Sequence, residues 1–343
     1  MTNYTLKVID IRRETNDTIT ICFKQPGLKK VKYRAGQYLT LILRINGRRY
    51  VRPYSFSSAP GVDELLEITV KRVPGGIVSN HLHDVVRVGD DLPVLPPMGD
   101  FVYSHDGSDH VFLWGAGSGI TPLISIAKDI LVRNPEVKVS LVYGNRSHDS
   151  VIFADLIKKL LASYKGKFQA WNFLTQPTVT EQQPYLIQGR IDTASVLSIM
   201  KTVSGERSVH FICGPPGLKT SVKEALALLS ITDRQIFSED FELVKDPKDF
   251  ENIRTRTVHL KFESQLHSVE VVKGKSILES ALDAGIELPY VCQTGSCDTC
   301  MAMLLKGEAQ MIGLTKERHD LMPDNYLLCC TYPVSDDVNI EIQ

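Results

Sequence analysis

Leu288-Pro289-Tyr290-Val291-Cys292-Gln293-Thr294-Gly295-Ser296-Cys297-Asp298-Thr299-Cys300 sets three cysteines at the spacing C-x4-C-x2-C, and a fourth follows in Leu327-Leu328-Cys329. Thiolates at that spacing are the ligand pattern of a [2Fe–2S] centre, where the backbone must wrap closely around inorganic sulfide. Gly295 and the small Ser296 and Thr299 suit such a wrap. The alternatives are a zinc site, buried free thiols or a disulfide pair. Zinc ribbons pair two C-x2-C knuckles, and the adjacent Cys329-Cys330 does not reproduce the second one. Five of the seven cysteines fall in the last fifth of the chain, whereas a disulfide framework would be spread more widely.

Working outward, the cysteine segment sits in a stretch that reads as a small α+β domain over 255–343. TVHLKFES and HSVEVVKG predict a hairpin, SILESALDAG (276–285) a short helix ended by Gly285, and VNIEI (338–342) a last strand. Lys245-Asp246-Pro247-Lys248-Asp249, charged and broken by proline, reads as part of a linker over 245–254. Upstream, over 108–244, HVFLW (110–114), a helical stretch at 121–133, KVSLVYG (138–144) and VHFICG (209–214) alternate strand with helix, as a parallel α/β sheet does. Residues 1–107 carry short alternating segments, YTLKVIDI (4–11), DTITICFK (17–24), QYLTLILRI (37–45) and LLEITVKRV (65–73), which predict an antiparallel barrel or sandwich.

A length of 343 residues accommodates these domains, each with its own core. Hydrophobic residues make up 43% and charged residues 23%, an ordinary globular composition that leaves out collagen, coiled coil and disorder. With 39 basic and 40 acidic side chains, a general nucleic-acid partner is not expected. No signal-like segment or long apolar run is present, so no membrane partner is expected and the expected location is cytoplasmic. The charge is uneven: 1–107 carries 15 basic and 11 acidic residues, 108–254 carries 17 and 16, and 255–343 carries 7 and 13. The acidic C-terminal domain could orient against a basic partner or against the basic N-terminal domain.

Two further motifs bear on chemistry. Arg52-Pro53-Tyr54-Ser55 offers a cation, an aromatic face and a hydroxyl, and Gly75-Gly76-Ile77-Val78-Ser79 precedes a short helix whose N–H groups could hold a phosphate. An exposed strand pair and a serine-capped turn are the plainer readings. Gly115-Ala116-Gly117-Ser118-Gly119-Ile120-Thr121-Pro122 follows a strand and opens a helix; its third glycine comes one residue early for G-x-G-x-x-G. Glycine there permits close approach of a pyrophosphate, although a tight strand–helix turn would need it anyway.

On these residues the chain resembles known families. LPYVCQTGSCDTCMAMLLKGEA and YLLCCTYPVSDDVNIEI are similar to the plant-type ferredoxin domain, a β-grasp fold, which implies Cys292, Cys297, Cys300 and Cys329 as iron ligands and Cys330 as a neighbour. The chain departs from that pattern at Asp298, where a small residue is common, and at Asn325, where glycine is usual. The R-x-Y-S and G-x-x-S elements resemble the flavin domain of the ferredoxin–NADP reductase superfamily. That likeness implies that Arg52 binds phosphate, Tyr54 stacks on the flavin, Ser55 lies near N5 and Ser79 holds the pyrophosphate, with Pro53, Gly75, Gly76, Ile77 and Val78 in the same cradle. Gly115, Gly117, Ser118, Gly119, Thr121 and Pro122 resemble the superfamily's nicotinamide motif. Cys213-Gly214-Pro215 resembles its second element, with Cys213 near the nicotinamide as a positioning residue. At the end of the second strand, Asn145-Arg146-Ser147 offers a cation for a ribose 2′-phosphate and favours NADPH over NADH.

The domain order, with YGNR (143–146), GRID (189–192) and Glu239-Asp240-Phe241, resembles reductase subunits of multicomponent oxygenases, particularly the phenylacetyl-CoA epoxidase reductase group. Reductases of ring and steroid hydroxylases are close relatives. The resemblance implies FAD, or FMN as in some relatives, a [2Fe–2S] cluster, and Glu239 and Phe241 beside the cofactors. It also implies a chemistry that splits a two-electron hydride into single electrons for an oxygenase partner. Other acceptors within that resemblance are a hybrid-cluster protein or a small molecule; a cluster-based redox sensor is a further reading.

Overall fold

The structure is a computed structural model describing residues 4–27, 30–104, 107–177, 186–202, 207–314 and 318–342. Two compact units emerge, one of Met1–Leu43 with Pro53–Glu239, the other of Arg44–Arg52 with Asp240–Gln343. Among the described residues, no helix is long and apolar enough to cross a membrane.

The first sheet comprises β1 (Tyr4–Thr15), β2 (Thr18–Phe23), β3 (Tyr38–Ile45), β4 (Arg48–Ser55), β5 (Leu66–Lys71) and, after helix α1 (Ile77–Asp84), β6 (Asp91–Met98). Its strand order is β4-β3-β6-β1-β2-β5, and its hydrogen-bonded neighbours run antiparallel wherever the register is described. Phe56, just past β4, forms an antiparallel bridge to Ile68 in β5, so the two edge strands meet and the sheet closes on itself. Closure leaves alternate residues inside, and Leu6, Val8, Ile21, Phe23, Leu39, Leu41, Val51 and Ile68 are buried there.

The second sheet is wholly parallel. β7 (His110–Ala116), α2 (Ile120–Arg133), β8 (Lys138–Asn145), α3 (Ala154–Ser163), β9 (Phe168–Leu174), β10 (Leu186–Gln188), α4 (Thr193–Lys201), β11 (Ser208–Cys213), α5 (Pro216–Leu228) and β12 (Ile236–Glu239) give the order β10-β9-β8-β7-β11-β12. Helices cover both faces, which is why β7 and β11 are buried residue after residue rather than alternately. One face packs Leu113, Ile124, Leu141 and Phe211 with α2 and α3; the other packs Phe112, Trp114, Ile212 and Val222 with α4 and α5. The chain winds outward from β7 to β10 and then returns to β11 on the other side of β7. The crevice beyond the carboxyl ends of β7 and β11 is therefore the topological switch point, where such sheets take their ligands.

In the second unit, β13 (Arg256–Phe262) and β14 (Gln265–Val271) form the expected hairpin, followed by α6 (Ile277–Asp283), β15 (Met301–Lys306), β16 (Ala309–Met311), β17 (Asn325–Leu327), β18 (Thr331–Pro333) and β19 (Asn339–Ile342). The order β14-β13-β19-β15-β17 is mixed: β19 is parallel to β13 and antiparallel to β15, as in a β-grasp fold. The stretch read as a linker is packed instead. Pro247 opens a short 3-10 turn, Phe250 meets the Tyr332 ring edge-on at 5.0 Å, and Ile253 is buried against Ile312 and Tyr332. Lys245 lies over the Tyr332 ring, 5.8 Å from its centroid, and pairs with Glu279 at 3.8 Å. Two large apolar side chains within 245–254 outweigh the charge that suggested a free segment.

Candidate functional site

The Gly115–Gly119 turn and the Cys213–Pro215 segment meet at the switch point. Gly115 and Cys213 face each other in register, and Glu239 continues the row from β12. Gly119 opens α2 directly beneath Cys213: a Cβ built on it would lie 2.0 Å from the Cys213 carbonyl oxygen. Gly214 is equally confined, with 2.9 Å to Leu218 and 3.1 Å to the Ala116 nitrogen. The two glycine motifs therefore form one packed corner, and glycine is required because backbone meets backbone there. Tyr143, fully buried, donates to the Gly117 carbonyl at 2.9 Å and ties the turn to β8, and burial pushes its phenol up. Thr121 returns a hydrogen bond to the Ser118 carbonyl at 3.0 Å.

The helix ends at this corner are open. α2 starts after Gly119 and α5 after Pro215; neither has a side-chain cap nor an acidic residue in its first turn. The Ile120 N–H is taken up by the Gly117 and Ser118 carbonyls in a short 3-10 turn, so it is the positive dipole end of α2 and the uncapped first turn of α5 that favour an anion. α1, after Gly76, has the same character. Its loop is braced by Arg72, which donates to Asn80 at 2.8 Å and to both oxygens of Asp84 at 2.8 and 2.6 Å. Asn80 in turn donates to the Gly76 carbonyl at 2.6 Å. Ser79 is buried, and its oxygen accepts from the Val73 N–H at 3.1 Å. Tyr54 and the buried Ser55 end β4 in the first unit together with Pro53, while Arg52 and the exposed Phe241 belong to the second unit. Arg146 is exposed beyond β8, and Asn145 carries a buried amide nitrogen with no hydrogen-bond partner.

Asp192 of the GRID element has a local role. Its carboxylate accepts from the Ser195 N–H at 2.8 Å and the Ser195 hydroxyl accepts from the Asp192 N–H at 2.9 Å, a capping box that closes α4.

Sequence reasoning missed a group that joins the loop after β4 to α2. Lys128, buried, pairs with Asp63 at 2.5 Å; Asp63 also accepts from the Ala59 N–H at 2.6 Å, and Ser125 donates to the Ser58 carbonyl at 2.6 Å. Apolar periodicity at α2 gives no sign that a lysine there points inward; only the pairing with a residue 65 positions earlier does.

In the second unit the four expected iron ligands lie together and buried. Cys292 sulfur contacts those of Cys297 and Cys329, and Cys329 contacts Cys300. The S–H groups of Cys297 and Cys329 hold the Cys292 thiol well below its ordinary value, and Cys329 does the same to Cys300. The Thr294 N–H points at Cys292 Sγ from 3.5 Å. Cys330 also touches Cys329, and donates to the Leu327 carbonyl at 3.3 Å. Among the described residues no three His, Cys, Asp or Glu side chains are grouped to hold a single metal ion. Two pairs of thiols fit a two-iron cluster, in which each iron takes two sulfurs. Gln293 and Gly295 both have positive φ, 59° and 72°, and a Cβ on Gly295 would fall 2.1 Å from the end of the Leu314 side chain, so glycine is favoured there.

The same unit takes in residues 44–52. The Val51 N–H donates to the Tyr290 hydroxyl at 3.0 Å and the Gln293 amide donates to the Val51 carbonyl at 3.1 Å. Arg48 pairs with Asp283 at 2.8 Å and Arg44 with Glu287 at 3.4 Å.

Comparison with known proteins matches residues 5–103 to an oxidoreductase FAD-binding domain, 113–224 to an oxidoreductase NAD-binding domain and 261–334 to a 2Fe-2S iron-sulfur cluster binding domain. The ferredoxin reductase component of 3-ketosteroid-9-alpha-monooxygenase from Rhodococcus rhodochrous is 33% identical over 353 residues, covering 98% of this chain and 96% of that one. The chain belongs to the family of oxygenase reductase components. A 1,2-phenylacetyl-CoA epoxidase subunit from Escherichia coli is 30% identical, covering 99% of this chain and 98% of its own length. Phthalate dioxygenase reductase shares the fold from end to end, with a TM-score of 0.71, 21% identity and 99% of this chain covered. This family member is an oxidoreductase with domains for a nicotinamide nucleotide, FAD and a [2Fe–2S] cluster, and its relatives are reductase components of oxygenases.

Proposed function

We propose that this reductase draws preferentially on NADPH, works in the cytoplasm, and serves an oxygenase of the phenylacetyl-CoA epoxidase or ring-hydroxylase type, with neither a nucleic acid nor a membrane as partner. The observation that carries the nucleotide half is the glycine corner at the switch point, where two uncapped helix ends face the crevice beside Cys213. Gly115, Gly117, Ser118 and Gly119, with Thr121 and Pro122 behind them, hold the pyrophosphate with backbone N–H groups. Cys213, Gly214 and Pro215 set the floor against which the nicotinamide lies, with Glu239 beside them. Arg146 and Ser147, next to Asn145, meet the ribose 2′-phosphate. A guanidinium supplies charge-assisted bonds to a phosphate that a plain ribose would leave unused, which supports the preference for NADPH.

Arg52 neutralises the flavin phosphate, Tyr54 stacks on the ring, Ser55 approaches N5 and Ser79 with Gly76 closes over the pyrophosphate. FAD and the cluster, once bound, supply the conversion from two-electron to one-electron chemistry. The side chains orient and exclude water; no acid–base group is required. The cytoplasm supplies the nicotinamide nucleotide and keeps the thiols reduced for cluster binding.

The test is an anaerobic titration with NADPH and, separately, NADH, followed by the visible spectrum and by identification of the released flavin. Flavin bleaching and then loss of cluster absorbance, at lower NADPH than NADH, is the expected course. Equal response to both nucleotides would remove the preference, and flavin that neither reduces would remove the path.

A further inference from the structure

Arg318 holds the cysteine loop from both sides. Its Nη1 donates to the Gly295 carbonyl at 2.9 Å, between Cys292 and Cys297, and its Nη2 meets the carboxylate of Asp298, between Cys297 and Cys300. Nε and Nη2 also form a two-point contact with Asp320, at 2.8 and 2.7 Å, which fixes the plane of the guanidinium. The Arg318 side chain is only 13% exposed, whereas Asp298 and Asp320 are 61% and 64% exposed. Asp298 is the position where this chain carries a charge and the plant-type pattern commonly has a small residue. A carboxylate beside two iron ligands opposes the arrival of an electron, and a fixed cation offsets it.

We propose that Arg318 is a positioning residue for the [2Fe–2S] loop: by joining the Gly295 carbonyl to the Asp298 carboxylate it holds the loop shut and raises the cluster's reduction potential. This rests on the [2Fe–2S] reading of the four cysteines. Arginine suits the task because its planar fork reaches a carbonyl and two carboxylates at once, which an ammonium group cannot reproduce.

Potentiometric titration of the full chain, followed through the cluster's visible and electron paramagnetic resonance signals, tests the charge half. Arg318→Gln should move the potential down, Asp298→Asn should move it up, and the double variant should return close to wild type. Iron release to a chelator tests the loop half: Arg318→Gln and Arg318→Lys should both release iron faster, by roughly tenfold, while Arg318→Lys leaves the potential near wild type. A role confined to packing would move potentials without that pattern of signs. Asp298→Asn changes an exposed side chain, so it reports even where Arg318→Gln does not take up the cluster. An unmoved potential in Asp298→Asn, or a double variant as low as Arg318→Gln, overturns the proposal alone. A wild-type protein without cluster absorbance overturns the [2Fe–2S] reading and the proposal with it.

Discussion

The two ends of the parallel sheet are built on opposite terms. Toward the amino end, polar groups are buried and joined: His110 meets the Ser140 hydroxyl at 2.7 Å and His210 Nε2 meets the Ser208 hydroxyl at 3.0 Å, while Trp114, further along β7, donates to His210 Nδ1 at 3.2 Å. Phe112 stacks between the two imidazoles, 4.3 Å from His110 and 5.2 Å from His210. At the carboxyl end, glycines replace side chains and α2 and α5 begin without caps. A sealed end stabilises the fold by itself, whereas an open end leaves N–H groups for a ligand to satisfy.

The open end breaks first at Gly119. A valine there would drive its Cβ into the Cys213 carbonyl, and neither strand end can move without displacing the other motif. Gly119→Val should lower kcat/KM for NADPH with an artificial electron acceptor by roughly a hundredfold or more, with the flavin still bound. Gly166, in the turn before β9, whose Cβ would meet open space, is the control: Gly166→Ala carries only the cost of its φ of +79° and should retain most activity. Equal losses in the two variants would show that the corner is not close-packed.

The sealed end breaks with pH. Burial, and then the neighbouring His110, push the His210 imidazole down to about 3; Trp114 donates to Nδ1, so the neutral ring accepts there. The unfolded chain takes up this proton near pH 6.5 and the folded chain does not, so stability falls as pH drops from 6.5 toward 3. The loss from this one group should reach about 2 kcal/mol at pH 5. Denaturant unfolding at pH 7 and 5 checks this, and His210→Gln should flatten the dependence while costing stability at neutral pH. A wild-type slope unchanged by that substitution would place the pH dependence elsewhere.

How much of this was legible in the sequence follows from the range of the contacts involved. Cys292, Cys297 and Cys300 announce themselves by spacing, since the chemistry demands three ligands within nine residues. The strands at 110–114 and 138–144 were legible because parallel sheets bury both faces; the structure carries them on to Ala116 and Asn145, into the glycine turns. Asp63 with Lys128, Asp298 with Arg318, and Val51 with Tyr290 were not legible, because no local period links residues 65, 20 and 239 apart. The linker misled for a related reason: its charges are local and visible, while the Tyr332 surface that receives Phe250 is supplied from far along the chain.

Selectivity at the rim of the open end should respond less steeply than its packing. Arg146→Ala removes an exposed cation beyond β8 and no core contact. The Michaelis constant for NADPH should rise roughly tenfold, equivalent to about 1.4 kcal/mol, with that for NADH nearly unchanged. Equal rises would show that Arg146 does not meet the 2′-phosphate.

The smallest expected effect sharpens the contrast most, because it concerns a helix that starts at the same end of the same sheet. α4 follows β10 at the edge, away from the switch point, and is closed by Asp192 and Ser195. The Ser195 N–H holds the Asp192 carboxyl below its usual range, so the cap is complete at neutral pH and weakens as pH falls through that lowered value. Asp192→Ala should cost about 1 kcal/mol of stability, with the Michaelis constants for both nucleotides unmoved. If nucleotide binding weakened along with stability, the capped end of α4 would belong to the site. If only stability fell, the closed helix end would serve the fold and the open ends at Gly119 and Pro215 the ligand.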